Sequence, residues 1–206
     1  MSKRPVRRAL ARLFLYWTGW KPEGIRPEVE RFVLIAAPHT TNWDFPYLIA
    51  FAELFDLRIH WVGKHTLFRG PMGRVMRALG GMPVRRDRRE NLVSALARLF
   101  SEHETLGLVV PAEGTRSYVD HWKSGFYHIA REANVPIVMS FLDYERKRGG
   151  FGPAFLPSGD VTADMDAVRA FYADKKGKHP ERFGAIRLLE EKDPPPIPPL
   201  AGDQDR

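Results

Sequence analysis

Short, uninterrupted apolar runs alternate with longer stretches of helical periodicity along most of the chain, and this alternation restricts the fold more than any other feature. Phe32-Val33-Leu34-Ile35-Ala36-Ala37 is continuous and ends at Pro38, as a strand buried on both faces would. A helical stretch from about Trp43 to Phe55 follows. The same grammar repeats: Arg58–Gly63 is predicted as a strand, Met72–Leu79 as a helix, Met82–Arg85 as a strand end, Arg89–His103 as a helix and Leu106–Ala112 as a strand. Beyond a polar loop, the pattern predicts a helix over Gly125–Ala133, strands over Pro136–Tyr144 and Phe151–Leu156, and a last helix over Asp164–Ala173. Strands separated by helices require crossover connections, so the expected fold is a single α/β domain, a mostly parallel central sheet flanked by helices. A chain of 206 residues suffices for one substantial core.

Two appendages flank that domain, which is expected to run from residue 23 to 192. Over residues 1–22, Val6, Leu10, Leu13, Phe14 and Trp17 recur at helical spacing, with Arg4, Arg7, Arg8 and Arg12 mostly elsewhere around the turn. This predicts a basic amphipathic helix. At the other end, residues 193–206 hold Pro194, Pro195, Pro196, Pro198 and Pro199 and are expected to be extended and disordered.

The formal charge is +7, and Lys3, Arg4, Arg7, Arg8 and Arg12 supply five of those charges within the first twelve residues, leaving +2 for the rest. The anionic partner is therefore expected at the N-terminal arm, as a membrane surface. Nucleic acid is disfavoured, because basic and aromatic residues do not interleave outside the arm. The absence of cysteine excludes disulfides and thiolate catalysis and is compatible with a cytoplasmic location. No apolar run approaches the roughly 18–20 residues that span a bilayer. The aromatic run Phe14–Trp17 offers no small-residue cleavage site, so the N-terminus is read as that of the mature protein.

Three constellations carry chemistry. His39 follows the first apolar strand, where ligands bind in open α/β folds, and Asp44 lies just inside the next helix, with Thr41 or Asn42 as the expected N-cap. If the loop folds back, the carboxylate holds one imidazole nitrogen and leaves the other as a general base. Without a Gly-x-Ser-x-Gly motif, the attacking hydroxyl would belong to a substrate. A loop histidine and a capping aspartate with no joint role explain the spacing as well. The second constellation, Glu113-Gly114-Thr115-Arg116-Ser117, combines amides, hydroxyls and a guanidinium suited to a phosphate, or forms an ordinary polar turn. The third is the basic run Gly80–Arg86, where Arg85 or Arg86 would reach the same phosphate or remain solvated surface.

Together and in order, these blocks resemble the glycerolipid acyltransferase family, which includes lysophosphatidic acid and glycerol-3-phosphate acyltransferases. His39-Thr40-Thr41-Asn42-Trp43-Asp44 is similar to its His-x4-Asp signature, Gly81–Arg86 to its second block, Glu113–Ser117 to its Glu-Gly-Thr-Arg-Ser block and Val135-Pro136-Ile137-Val138 to its fourth. The resemblance implies a glycerol-3-phosphate acyltransferase-like fold, with His39 as base, Asp44 as its orienting carboxylate, Arg116 as the main phosphate ligand and Glu113 as a structural partner in the acceptor site. Arg85 and Arg86 would add to the phosphate site, and Val135, Pro136 and Ile137 would lie near the acyl chain, although a strand entering the core accounts for them equally. Pro38, Ala112 and Met139 depart from the family pattern, which leaves the acceptor open.

The resulting expectation is transfer of a fatty acyl group from acyl-CoA or acyl carrier protein to the hydroxyl of a lyso-phospholipid, with 1-acyl-glycerol-3-phosphate as the first acceptor to test. No metal or bound cofactor is expected, and the protein is placed peripherally on the inner face of the cell membrane. Another lyso-lipid or glycolipid acceptor, hydrolysis with water as acceptor, and non-catalytic lipid or anion binding are the alternatives. Oxyanion donors are sought among backbone amides near His39 or at the Gly114 turn.

Overall fold

The structure, a computed structural model, describes residues 4–84 and 92–192. Helix α1 (Arg4–Thr18) leads into a short strand β1 (Lys21–Gly24), and β2 (Arg31–Ala36) is followed by α2 (Asp44–Leu54) and β3 (Ile59–Lys64). A single turn of 3-10 helix (His65–Phe68) precedes α3 (Gly70–Ala78), β4 (Gly81–Val84), α4 (Leu92–Glu102) and β5 (Leu106–Val110). Helix α5 (Gly125–Ala133), strands β6 (Ile137–Asp143) and β7 (Arg148–Phe155) and helix α6 (Val161–Tyr172) complete the domain. The strands form one sheet in the order β1-β7-β6-β2-β5-β3-β4, parallel throughout except where β6 meets β7.

Side-chain alternation in β2 explains why helices cover both faces. Val33 and Ile35 enter a core built with Leu96 and Phe100 of α4, Phe126 and Ile129 of α5 and Met165 and Val168 of α6. Phe32 and Leu34 enter the opposite core with Ala11 and Leu15 of α1 and Tyr47 and Phe51 of α2. Burying such a side chain contributes about 1.5–3 kcal/mol relative to exposing it, so a strand apolar at every position is stable only between two layers.

The elements occupy the positions the periodicity predicts, with ends shifted by a few residues, and several details differ. The α2 N-cap is Trp43, which makes no side-chain cap bond, and not Thr41 or Asn42. The Asp44 carboxylate turns back over the loop and takes its amides itself. Strand β1 was not predicted: Lys-Pro-Glu-Gly has no apolar pattern, and its edge pairing with β7 creates it. Arg85, Arg86, the predicted start of α4 before Leu92 and the proline-rich tail lie outside the described residues.

Candidate active site

Parallel pairing brings the carboxyl ends of β2 and β5 side by side, with β6 on the far side of β2 and β3 beyond β5. From β2 the chain passes to α2 on one face of the sheet, and from β5 it passes to α5 on the other. The loops diverge at this point and leave a crevice between neighbouring strands, the place where open α/β sheets take their ligands. Into it the β2 loop delivers His39 and the β5 loop delivers Glu113 and Arg116.

His39 Nδ1 lies 3.2 Å from Asp44 Oδ2. The same oxygen accepts the backbone N–H groups of Thr40 at 2.9 Å and Thr41 at 3.0 Å. The other oxygen, Oδ1, accepts the Tyr144 hydroxyl at 2.8 Å. Asp44 is buried, and these donors stabilise its charge away from water. The loop is tied from outside as well: buried Thr40 accepts the His179 N–H through Oγ1 at 3.2 Å, and the Ala37–Pro38 peptide is cis. With Nδ1 directed at Asp44, Nε2 is the nitrogen left for a substrate proton.

Glu113 supports the histidine from beneath. Its Oε1 accepts the His39 N–H at 2.7 Å, while Oε2 is buried without a partner among the described residues. Burial raises its carboxyl to about 8; the backbone N–H groups of His39 and Gly184 oppose the rise, and the Asp44 charge adds to it. At neutral pH the side chain is thus mostly a neutral acid, which suits a site that already holds the Asp44 charge.

A cavity of about 490 Å³ opens beside the dyad. His39, Asp44, Lys64 and Arg116 are among its lining residues, and Phe45, Leu48, Trp61, Leu67, Met76 and Phe141 make much of its wall apolar. Trp61 stands edge-on to Phe45 at 5.0 Å and donates its indole N–H to Leu79 O at 3.0 Å, which fixes that wall. Arg116 is exposed and takes no protein partner among the described residues. A base, an apolar chamber and the cations Lys64 and Arg116 thus share one opening. The family model described as Acyltransferase matches residues 22–140.

This chain belongs to the acyltransferase family.

The 1-acyl-sn-glycerophosphate (LPA) acyltransferase PlsC from Thermotoga maritima is similar in fold, with a TM-score of 0.55 and 17% identity over 83% of this chain and 75% of that one. No curated protein matches the sequence.

Of the sequence-predicted residues, the acyltransferase brings His39, Asp44, Glu113 and Arg116 to one place. Gly114, with φ +70°, makes the turn that carries Thr115 and Arg116 outward, and both neighbours are exposed. Val135 and Ile137 are instead fully packed in the core beneath α5, and Val135, Pro136 and Ile137 do not line the cavity. The strand they begin reaches the cavity only toward its other end, where Ser140, Phe141 and Leu142 line it. The backbone donors considered for an oxyanion are also engaged: the N–H groups of residues 39–41 serve Glu113 and Asp44, and the Gly114 N–H serves Pro111 O at 3.0 Å. Sequence reasoning passed over Tyr144, because a tyrosine at a strand end carries no motif. Lys64, at the end of β3, likewise stands in no motif.

Helix α1 divides its apolar residues between two media. Ala11 (6% exposed) and Leu15 (3%) pack toward α2, and Arg7 bridges Glu53 at 2.8 Å and donates to Ala78 O at 3.2 Å. Leu10 (60%), Leu13 (53%) and Trp17 (78%) stay exposed, whereas Phe14 is half-buried against Tyr47 at 5.1 Å. Among the described residues, no helix is long and apolar enough to cross a membrane.

Proposed function

We propose that this acyltransferase moves a fatty acyl group from acyl-CoA or acyl carrier protein to the free hydroxyl of a lyso-phospholipid, with 1-acyl-glycerol-3-phosphate as the acceptor. The observation that carries the reading is the His39–Asp44 pair at 3.2 Å on the wall of an apolar cavity shared with Arg116. His39 Nε2 takes the proton of the acceptor hydroxyl while that oxygen attacks the thioester carbonyl. The tetrahedral intermediate collapses, the carbon–sulfur bond breaks, and the departing thiolate recovers the proton from His39. Asp44 holds the ring and stabilises its charged form, an arrangement that contributes about 10²- to 10⁴-fold.

The acceptor phosphate is assigned to Arg116, whose planar fork of donors matches phosphate oxygens, with Lys64 as a second cation and Arg85 and Arg86 as further candidates. The phosphatidic acid product and the lyso-phospholipid acceptor are amphiphiles, so the protein is proposed to work peripherally on the inner face of the cell membrane. Leu10, Leu13, Phe14 and Trp17 would enter the lipid surface beside Arg8 and Arg12. PlsC from Thermotoga maritima is named for the same acceptor class, which supports the choice of lysophosphatidic acid as the first acceptor. The test is acyl-chain incorporation from a panel of acyl-CoAs and acyl carrier protein into lysophosphatidic acid, against lyso-lipids without phosphate. Incorporation into phosphate-bearing acceptors, lost in Arg116→Ala, is expected; equal transfer to phosphate-free acceptors rejects the phosphate assignment.

A further inference from the structure

Asp44 is fixed at both carboxylate oxygens, and the two are served by different parts of the chain. Oδ2 takes the loop amides of Thr40 and Thr41 and faces His39. Oδ1 takes the hydroxyl of Tyr144, one hundred residues away and one residue past the end of β6. Tyr144 lies beyond the segment that matches the family model. Its ring is seated edge-on against buried Trp20 at 4.8 Å, with Tyr47 at 6.1 Å, and its backbone N–H is bound to Lys176 O at 2.9 Å. Trp20 in turn lies 4.5 Å from Tyr47. The side chain is thus held by three separate segments of the chain, around Trp20, Tyr47 and Lys176.

We infer that Tyr144 is a positioning residue of the catalytic dyad: its hydroxyl locks the Asp44 carboxylate against rotation and so keeps Oδ2 on His39 Nδ1. The inference rests on the dyad reading above and adds a residue to it. A carboxylate anchored at one oxygen alone turns about its Cβ–Cγ bond and loses the alignment that its partner imidazole needs, whereas two anchors on opposite oxygens remove that freedom. Burial, and after it the Asp44 charge and hydrogen bond, push the Tyr144 phenol well above its ordinary range, so it stays a donor.

Tyr144→Phe tests this with the full-length protein, because it keeps the ring against Trp20 and Tyr47 and deletes the one O–H. Thiol release from palmitoyl-CoA and from palmitoyl-acyl carrier protein is followed with and without lysophosphatidic acid, for wild type, Tyr144→Phe, Asp44→Asn, the double variant and His39→Ala. The expected result is a fall in kcat of about tenfold in Tyr144→Phe with KM unchanged, the loss of one hydrogen bond to a charged group. In the Asp44→Asn background the same substitution is expected to add nothing, since the hydroxyl acts only through Asp44. Unchanged kcat, a rise in KM alone, or an equal loss in the Asp44→Asn background overturns the inference while His39→Ala still abolishes transfer. Transfer that survives His39→Ala, or wild type that releases no thiol in response to acceptor, overturns the dyad reading and this inference with it.

Discussion

Glu113 sits where a buried carboxyl, a catalytic loop and the Asp44 charge meet, and its carboxyl at about 8 makes it a source of pH dependence. A carboxyl whose folded value lies above its unfolded one contributes no penalty below about 4.5 and destabilises progressively as pH rises through about 8. Glu113→Gln keeps an oxygen for the His39 N–H and has nothing to ionise. The difference in unfolding free energy between wild type and Glu113→Gln should therefore move in the variant's favour between pH 5 and about pH 9, as read by urea titration at each pH. A difference that stays flat would mean that Glu113 is ionised in the fold. For the dyad, His39→Ala should lower kcat by about 10²- to 10⁴-fold with the melting temperature little changed, measured as single-turnover acyl transfer and by thermal denaturation. The residues themselves were legible as a His-x4-Asp spacing and a Glu-Gly-Thr-Arg-Ser block. Their geometry was not, because the 3.2 Å approach depends on Asp44 turning back over its own loop, and spacing does not encode a side-chain rotation.

Helix α1 shows how an element can be read correctly in type and incompletely in role. Periodicity identifies Val6, Leu10, Leu13, Phe14 and Trp17 as an apolar stripe, yet it does not say which medium covers them. In the fold the packing toward α2 is made chiefly by Ala11 and Leu15, and most of the larger side chains remain outside. These two faces predict separable outcomes. Leu10→Glu with Trp17→Glu should weaken binding to vesicles containing anionic lipid at least about tenfold, by removing apolar insertion and adding charge repulsion, and should leave the melting temperature unaltered. Undiminished vesicle binding in a co-sedimentation assay would remove α1 as the anchor. Leu15→Ala should instead destabilise the fold by about 2–5 kcal/mol, read by denaturant unfolding. Strand β1 marks the opposite limit: Lys-Pro-Glu-Gly owes its conformation to backbone pairing with β7, and no side-chain pattern announces such an edge.

Across the whole molecule, the site is held by segments far apart in sequence. The loop at 38–44 is clasped from beneath by Glu113, from the side by Tyr144 and from above by residues 177–179. A Cβ added at Gly177 would meet Thr40 Oγ1 at 2.9 Å and Pro38 Cβ at 3.1 Å. Gly177→Ala should therefore lower kcat several-fold by displacing the catalytic loop while the sheet stays intact, which circular dichroism and steady-state kinetics together would report. The parallel α/β fold was legible because each buried strand is apolar at nearly every position and each helix between them has its own period. The cavity was not legible, since Trp61, Phe45 and Phe141 come from separate elements that read individually as core. Val135 and Ile137 show the converse: they stand in a family block and belong to the core. The most direct test of the central claim is thiol release from acyl-CoA and acyl carrier protein with and without lysophosphatidic acid, for wild type, His39→Ala and Arg116→Ala. Acceptor-dependent release that is lost in both variants is the predicted result, whereas release indifferent to the acceptor, or undiminished in His39→Ala, would contradict it.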